Sequence, residues 1–515
     1  MIGTSLAEYG FIRACIWGVR SILPLSCTYL AARVFFKVPR PFRLLDYYTA
    51  AEVLFYVLVF VPVQFSAQRP ARHPALPGLK ERQVLFERCF SNIDDHAAFL
   101  QKWFKDAPLD EIKRENVREY LSWAFFNVAD AGPEHDDEMD VYLKTVDTSL
   151  GKPLPPGRGN ASCLRLTLDP VPMLHRPLIW YLGAVLPVDS FVHVSLSLRG
   201  FTFYRPSSFI SLLTTFPPRP LALFTRHTSP SSTLSYWFHP HTSKTHLPVL
   251  FLHGIGIGPM PYVPFLCDIN AGRPADDQIG IIAIEILPVS FRLVAPVLRK
   301  NEFVKHILAI LAHHRFSHYV LASHSYGSVI TTHLLKNPAS APAVAAVVLI
   351  DPVSIMLHMP AVAYNFMYRR PRGANEWQLY YFASTDPCVA HTLGRSFFWS
   401  ENILWKQDVV GKPLTVALAG QDLIVDTRCV AGYLTDGVWR GGYGDLGSSH
   451  AVGAVETWEQ RDTKILWSDN LDHAQVLDVK GNRSVLVAEV LRRSKDGAVA
   501  VFAGGSSQSN YGTLN

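Results

Sequence analysis

A serine between small residues is the first feature of this chain that could do chemistry. Residues 319–328 read Tyr-Val-Leu-Ala-Ser-His-Ser-Tyr-Gly-Ser, so an apolar run leads into Ser325, and an amphipathic run continues to Lys336. A sharp turn between a strand and a helix lifts a serine hydroxyl clear of the sheet, and the helix N-terminus favours negative charge beside it. The pattern predicts that Ser325 is a nucleophile. The usual motif has glycine at both flanking positions, whereas this chain has Ser323 at the first and Gly327 at the second.

A serine hydroxyl attacks well when a base takes its proton and an acid holds the base. The chain supplies both after the serine, in the order aspartate and then histidine. Asp422 follows the apolar run 414–419, and His473 follows the run 464–467. Because the carboxyl ends of parallel strands meet at one edge of a sheet, both side chains are predicted to lie beside Ser325. His473 would take the proton from the serine, and Asp422 would orient the ring.

Other titratable residues compete for these roles. Asp351, which follows the run 345–350, is an alternative acid, although Asp422 is preferred, and Asp426 is a weaker alternative. His324 adjoins the serine, and the turn is predicted to point its ring away. The histidines and the seven cysteines show none of the spacings of a metal site, so neither a metal nor a cofactor is predicted.

The tetrahedral intermediate of acyl transfer needs hydrogen-bond donors for its oxyanion. After the first strong apolar run the chain carries His253, Gly254, Ile255 and Gly256. Because glycines let a backbone approach the substrate closely, the N–H of Ile255 is predicted as one donor of an oxyanion hole. The N–H of Tyr326, the residue after the serine, is predicted as the other. His253 is interpreted as a brace of this loop.

The elements that would position these residues can be predicted from residue 236 onward. Short apolar runs alternate there with helical stretches, a pattern that predicts an α/β fold with a mostly parallel sheet covered on both faces. The predicted strands are 248–252, 279–286, 319–322, 345–350, 414–419 and 464–467. The clearest predicted helices are 303–313 and 328–336.

With these motifs in this order, the chain resembles the α/β-hydrolase superfamily over residues 235–492. The resemblance rests on the His-Gly loop, the Ser-His-Ser-Tyr-Gly sequence, Asp422 in Gly-Gln-Asp, and Asp-His-Ala at 472–474. It implies the α/β-hydrolase fold, with a mostly parallel eight-stranded sheet and a helical cap at about 353–411. It also implies hydrolysis of a carboxylic ester by a lipase-like or esterase-like serine enzyme. An acyltransferase that uses the same acyl-enzyme is the alternative function, and a non-catalytic membrane scaffold with this fold is another.

The predicted cap is rich in large apolar side chains. The stretch between the strands 345–350 and 414–419 exceeds an ordinary connection. Aromatic and thioether groups suit the lining of an apolar acyl pocket, so the expected partner is a small lipophilic ester. The residues concerned are Met356, Met359, Tyr364, Phe366, Met367, Tyr368, Trp377, Tyr380, Tyr381, Phe382, Phe397, Phe398, Trp399 and Trp405.

The N-terminal 68 residues are predicted to associate with a membrane through one or two apolar helices. Residues 47–68 carry one charge, that of Glu52, and a helix of this length measures roughly 30 Å, enough to cross a bilayer. The earlier stretch 11–36 contains three arginines, and its longest uncharged run has twelve residues. That run suits an interfacial helix or one half of a hairpin. A membrane location with an N-terminal anchor is therefore expected, and the compartment is left open.

The remaining segments are less regular. Residues 69–234 are predicted to form a helical and mixed extension that packs over the later domain, with an acidic loop at 136–140. Residues 235–492 are predicted as the hydrolase domain. The tail 493–515 ends in a run of glycine, serine and asparagine, which predicts disorder.

Composition excludes some classes of function. The chain has 515 residues and a net charge of +5, with no basic stripe interleaved with aromatic residues, so nucleic acid is not an expected partner. The odd number of cysteines, all far apart, argues against a disulfide framework. The chain is long enough for a large core and for more than one structural unit.

Overall fold

One mixed sheet runs through the middle of the molecule. The structure is a computed structural model that describes residues 2–36, 43–441 and 455–508. The order across the sheet is β1-β2-β4-β3-β5-β6-β7-β9-β8, and β4, β3, β5, β6, β7 and β9 run parallel. The strands are Thr202–Tyr204 (β1), Tyr236–His239 (β2), Val249–Leu252 (β3), Ile281–Ile284 (β4), Tyr319–His324 (β5), Val344–Ile350 (β6), Leu414–Ala419 (β7), Glu456–Gln460 (β8) and Thr463–Ser468 (β9).

The central strands are apolar on both faces, which explains why continuous apolar runs predicted them. On β3, Leu250 and Leu252 point into one core, whereas Val249 and Phe251 point into the other, and β4 and β5 alternate in the same way. Helices flank the sheet and cover these faces. The main ones are Val263–Asp268, Lys300–His313, Gly327–Lys336, Thr427–Leu434 and Lys480–Gln508.

The prediction of eight strands was wrong by one, because the described residues form nine. The extra strand is Glu456–Gln460, which pairs antiparallel with β9 at the edge of the sheet and has no buried residue. Its polar sequence carries little apolar signal, so it was not predicted. β1 lies at residues 202–204, before the predicted start of the hydrolase domain at residue 235.

Four helices between residues 79 and 149 form a unit, named here the helical unit, that shares the core on one face of the sheet. The predicted acidic loop at 136–140 is instead the first turn of the last of these helices. Negative side chains there complement the helix N-terminus, and Glu138 also pairs with the buried Arg82. The helices are Leu79–Phe90, His96–Trp103, Arg114–Phe126 and Asp136–Ser149.

The cap, residues 353–411, is a chain of short helices between β6 and β7. It meets the helical unit directly, since the Tyr364 hydroxyl donates to Asp106 at 2.7 Å and the Trp399 ring N–H donates to the Ala124 carbonyl at 3.0 Å. The helical segments are Pro360–Ala363, Tyr364–Tyr368, Ala374–Leu379, Tyr380–Ser384, Pro387–Arg395 and Trp399–Asn402.

Three helices are long and apolar enough to cross a membrane: Leu6–Phe35, Arg43–Ala67 and Leu178–Ser197. Two of them lie in the segment predicted to hold one or two. The first was predicted as an interfacial helix or one half of a hairpin, because arginines interrupt its apolar run. In the structure, one of these, Arg13, stacks its guanidinium 3.8 Å from the Trp377 ring centroid. The third lies within residues 69–234, which were predicted as a helical and mixed extension without a membrane span, because a charge and a proline interrupt this apolar stretch.

The predicted tail begins too early. The helix Lys480–Gln508 continues past residue 493, where the Ser494 hydroxyl donates to the Leu247 carbonyl at 2.6 Å and Ala498 is buried. Packing against the sheet therefore extends a helix through a sequence whose composition predicted disorder. Residues 509–515 lie outside the described residues.

Candidate active site

Ser325 lies at the turn between β5, which ends at His324, and the helix that begins at Gly327. Its φ of +50° is in the left-handed region, which is costly for a residue with a side chain. The turn is held by a backbone hydrogen bond from the Ser325 N–H to the Ile350 carbonyl at 2.9 Å. The hydroxyl is thereby turned away from the strand direction and toward the carboxyl edge of the sheet.

The two residues that flank Ser325 show why one position needs glycine and the other does not. A Cβ at Gly327 would lie 2.2 Å from the Leu252 carbonyl oxygen, so strand and helix pass too closely for any side chain. At the other position, Ser323 is fully buried, and its hydroxyl accepts a hydrogen bond from Thr331 at 2.8 Å. The departure from the usual motif is therefore accommodated by a polar partner on the following helix.

Three side chains that are far apart in the sequence meet at this edge. The Nε2 atom of His473 is 2.9 Å from the hydroxyl oxygen of Ser325, and its Nδ1 atom is 2.7 Å from a carboxylate oxygen of Asp422. The other carboxylate oxygen of Asp422 accepts from the N–H groups of Ile424 and Val425, both at 2.8 Å. This arrangement can move a proton from the hydroxyl to the ring while the carboxylate holds the ring in place.

The protonation of His473 is governed by the acids around it. Burial would lower its pKa, but the charge and hydrogen bond of Asp422, together with Asp351 and Asp472, outweigh burial and raise the pKa to about 9. The ring nitrogen that faces Ser325 is therefore more basic than that of a free histidine. A more basic ring is a stronger acceptor of the serine proton, but it must first be deprotonated.

Asp351, the alternative acid, is used differently. It accepts from the backbone N–H of Ala419 at the end of β7 and from that of Ala474, next to His473, at 3.0 and 2.9 Å. Burial and then the charge of Asp422 raise the pKa of Asp351. Asp351 thus connects the ends of two loops. Asp426 accepts from the Cys429 N–H and caps a helix.

The glycine loop, which follows β3 and contains Gly254 and Gly256, packs against the turn at Ser325. A Cβ at Gly254 would lie 2.8 Å from that of Ser325. The N–H of Gly254 donates to the Tyr262 hydroxyl, and that of Gly256 donates to the Val289 carbonyl, so both flanking amides are engaged. Ile255, between them, borders the cavity at Ser325, as does Tyr326.

His253 lies at the base of this loop and connects it to the next strand. Its Nδ1–H donates to the Gly254 carbonyl at 2.7 Å, and its Nε2 accepts from the Ile286 N–H at 2.8 Å. Both nitrogens are thus used, and burial lowers the pKa of His253. These contacts are those of a brace.

Tyr262 is a site residue that the sequence did not reveal. Its hydroxyl accepts from the Gly254 N–H and donates to Nδ1 of His324 at 2.7 Å. His324 therefore faces Tyr262, although its ring centroid is 5.2 Å from that of His473. Burial and then His473 lower the pKa of His324 well below its ordinary value. No motif marks the tyrosine, because its role depends on a contact across two loops.

A narrow apolar cavity opens at Ser325. Its wall combines the helical unit, the cap and the glycine loop, and no lining side chain carries a charge. A larger cleft of about 1210 Å³ is lined in part by Asp422 and does not border Ser325. The narrow cavity is lined by Trp103, Trp123, Leu166, Ile255, Ser325, Tyr326, Val353, Leu357, Val362, Ala363, Phe366, Met367, Leu393, Phe397, Trp399 and Ile424.

The cluster of Asp351, Asp422 and His473 has ligand atoms within 4.8 Å of one another, a spacing that could suit a metal ion. Each of those atoms is already in use. The oxygens of Asp351 accept backbone N–H groups, those of Asp422 accept N–H groups and the ring, and the ring also meets Ser325. These contacts account for the cluster as a hydrogen-bonded unit.

No family model and no curated protein sequence matches this chain. Solved structures with a similar fold include a bacterial membrane phospholipase A, 12% identical over 61% of this chain and 94% of that chain, with a TM-score of 0.36. Others are naproxen esterase from Bacillus subtilis (11%, 59% and 96%, TM-score 0.34) and a haloalkane dehalogenase from Agrobacterium tumefaciens (11%, 57% and 97%, TM-score 0.34). Because the identities and TM-scores are this low, the fold is assigned from the strand order and directions of this chain and not from these structures.

The order and directions of the strands decide the fold. Without the added edge strand β8, eight strands remain, in the order β1-β2-β4-β3-β5-β6-β7-β9, with β2 antiparallel to its neighbours. Ser325 follows the central parallel strand β5, at the turn into a helix. By the order and directions of its strands, the chain has the α/β-hydrolase fold.

Proposed function

We propose that this protein is a serine hydrolase that cleaves carboxylic esters of lipophilic, lipid-like substrates. The observation that carries the proposal is the hydrogen-bonded series of Ser325, His473 and Asp422 at the mouth of an apolar cavity. A hydroxyl with a basic ring on one side and a hydrophobic cavity on the other is suited to attack an acyl group whose chain occupies the cavity.

In the first half of the reaction, Ser325 attacks the ester carbonyl while its proton passes to Nε2 of His473. Asp422 stabilises the positive ring. The carbonyl oxygen becomes an oxyanion, and the N–H groups of Ile255 and Tyr326 are the proposed donors to it. The intermediate then expels the alcohol, which takes the proton from His473, and the acyl group stays on Ser325 as an ester.

In the second half, water attacks the acyl-enzyme and gives a proton to His473. Collapse of the second intermediate releases the carboxylic acid and returns the proton to Ser325. One water is consumed and one ester bond is broken, with no change in oxidation state. The residues His253, Gly254 and Gly256 hold the loop that carries the Ile255 donor.

The lining of the cavity supports an apolar acyl chain. Burying one methylene group there is worth about 0.8 kcal/mol, whereas a charged group would lose its water without a partner. Trp103 and Trp123 of the helical unit and Phe366 of the cap lie on this wall. The helices long enough to cross a membrane would hold the site at a lipid surface, where such substrates reside.

A fluorophosphonate probe tests the proposal, because it reacts with an activated serine. We expect the full-length protein to be labelled at one site, and Ser325→Ala to abolish both labelling and hydrolysis of p-nitrophenyl esters. Ser317→Ala is the matched control, because Ser317 is exposed two residues before β5 and its substitution should leave both unchanged. Labelling that persists in Ser325→Ala, or a folded wild type that neither reacts nor hydrolyses, would refute the proposal.

Acyl transfer to an alcohol is the second candidate, and the seclusion of the site favours it. Ser325 is 6% exposed and His473 is 5% exposed, so water has little access to the acyl-enzyme. Product analysis with an added long-chain alcohol separates the two reactions. A transferase accumulates the new ester, and a hydrolase accumulates the free acid.

A further inference from the structure

A second apolar surface lies far from the N-terminal helices in the sequence. Eleven large apolar side chains are exposed between residues 178 and 224, which we call the 178–224 surface. The described part of 235–492, over five times longer, exposes four: Met260, Val410, Val438 and Val485. The eleven are Ile179, Leu182, Phe191, Val194, Leu198, Phe209, Ile210, Leu213, Leu221, Leu223 and Phe224.

The helix Leu178–Ser197 has the length and hydropathy of a membrane span, but one of its faces is bound to the protein. Asp189 accepts from the guanidinium groups of Arg219 and Arg292 at 3.0 and 2.8 Å. Val192 and Leu196 lie in a core of the sheet. Since breaking a buried charge pair is costly, this face stays on the protein.

Both ends of the same helix are also held by the protein. Before the helix, the Leu174 N–H donates to the Thr385 carbonyl of the cap at 2.9 Å. After it, residues 202–204 enter the sheet as β1. A helix of 20 residues spans about 30 Å, so it cannot place its ends on opposite sides of a bilayer while both remain bound to one folded unit.

The outward face of this helix continues the surface of the N-terminal helices. Glu52, in the helix Arg43–Ala67, accepts from the Leu178 N–H at 2.7 Å and so caps the later helix. The ring of Phe55 packs against Tyr181 and Phe216, with centroids 5.7 and 5.4 Å apart. The apolar surface therefore extends from the candidate spans onto residues 178–224.

We propose that the 178–224 surface is immersed in one leaflet of a lipid bilayer, with the helix Leu178–Ser197 lying along the membrane instead of crossing it. A bilayer is the partner of choice because the surface adjoins two helices long enough to span one, and because its apolar groups are spread over several helices. Arg199 within this segment and Arg226 just after it are exposed, and their charges suit anionic headgroups. The proposal does not depend on the reaction proposed above.

Photolabelling from the lipid tests the contact without any substitution. Full-length protein is reconstituted in phosphatidylcholine–phosphatidylglycerol vesicles that contain a phosphatidylcholine with a diazirine in its acyl chain, and adducts are mapped by mass spectrometry. We expect adducts within 178–224 and within 2–67. Peptides with Val410 and Val485, apolar and exposed elsewhere, are the internal control and should lack adducts. Adducts confined to 2–67 would overturn the proposal, because they would mean that protein or water, and not lipid, covers the 178–224 surface.

Topology mapping tests the orientation of the helix. Epitopes inserted beside Gly157 and beside Lys244, both exposed, flank the helix in sequence. In sealed vesicles we expect antibodies to reach both epitopes from the same side. Epitopes on opposite sides would mean that the helix crosses the bilayer, and the proposal would be wrong. Ile210→Glu should reduce the lipid adducts on the peptide that contains residue 210 several-fold. Val410→Glu should leave the adducts on that same peptide unchanged.

Discussion

The carboxyl edge of the sheet and the apolar cavity above it meet at Ser325, yet they are built in opposite ways. At the edge, every polar side-chain atom of Asp422 and His473 has a partner within 2.9 Å. Sixteen residues line the cavity, and Ser325 is the only one of them whose side chain is not hydrophobic. The edge is positioned by directional bonds, and the cavity by packing.

This difference has consequences for substitution. A hydrogen-bonded unit fails when one partner is lost, because the remaining groups stay buried and unpaired. A packed wall tolerates a change of volume at a smaller cost. We therefore expect chemistry to depend on the edge, and choice of substrate to depend on the wall.

The largest expected effect is a loss of kcat from substitutions at the carboxyl edge of the sheet. Asp422→Asn leaves the shape unchanged but can no longer orient and stabilise the charged ring, so kcat should fall by about 10⁴-fold. Asp351→Asn should lower kcat by about 100-fold or less, because it disturbs only the placement of the loops at Ala419 and Ala474. Hydrolysis of a short p-nitrophenyl ester measures kcat for both variants. Equal losses of kcat would mean that Asp351 contributes to the chemistry as much as Asp422 does.

Next in size is a test of the close approach beneath Ser325. Gly327→Ala places a Cβ against the Leu252 carbonyl, so we expect a loss of about 3 kcal/mol in the free energy of unfolding. Ser323→Gly loses one hydrogen bond to Thr331 and should cost about 1 kcal/mol. Gly481→Ala, which meets no atom within 4 Å, is the control. Urea unfolding measures all three, and equal midpoints would show that the turn is looser than described.

Substitutions in the wall of the cavity at Ser325 should change the selectivity for acyl chain length. Trp103, Trp123 and Trp399 line both the cavity at Ser325 and a second cavity, so Trp123→Ala should open part of the shared wall and admit a longer acyl chain. Each further methylene that is buried should raise kcat/KM by about fourfold relative to the wild type. A series of p-nitrophenyl esters measures this, with Trp458→Ala at the sheet edge as control. An unchanged chain-length profile would remove Trp123 from the substrate site.

The smallest effect is a shift in the pH profile. In the proposed reaction His473 must be neutral to accept the serine proton, and the neighbouring carboxylates raise its pKa to about 9. Activity should therefore rise with pH between 7 and 9, by up to tenfold per unit below the pKa. Asp351→Asn removes one of the groups that raise the pKa, so its rising limb should move to lower pH. A limb centred near 6.5 in the wild type would contradict this account.

Much of the fold was predictable because its signals are local. The six predicted strands correspond to β3, β4, β5, β6, β7 and β9, since strands buried on both faces are continuous apolar runs. β1, β2 and β8 were not predicted, because β1 and β2 have only three and four residues and β8 is polar. The acidic start of the helix Asp136–Ser149 was misassigned, since charge alone does not distinguish a loop from a first helical turn.

By itself, the sequence determined the turn at Ser325, the strands before it and the order in which serine, aspartate and histidine occur. Only the tertiary structure decided that Asp422, and not Asp351, meets the ring of His473, and that Tyr262 braces the glycine loop. It also decided that the helical unit closes the cavity. The physical reason is that strands and turns follow from neighbouring residues, whereas a contact between loops depends on where the whole sheet places their ends.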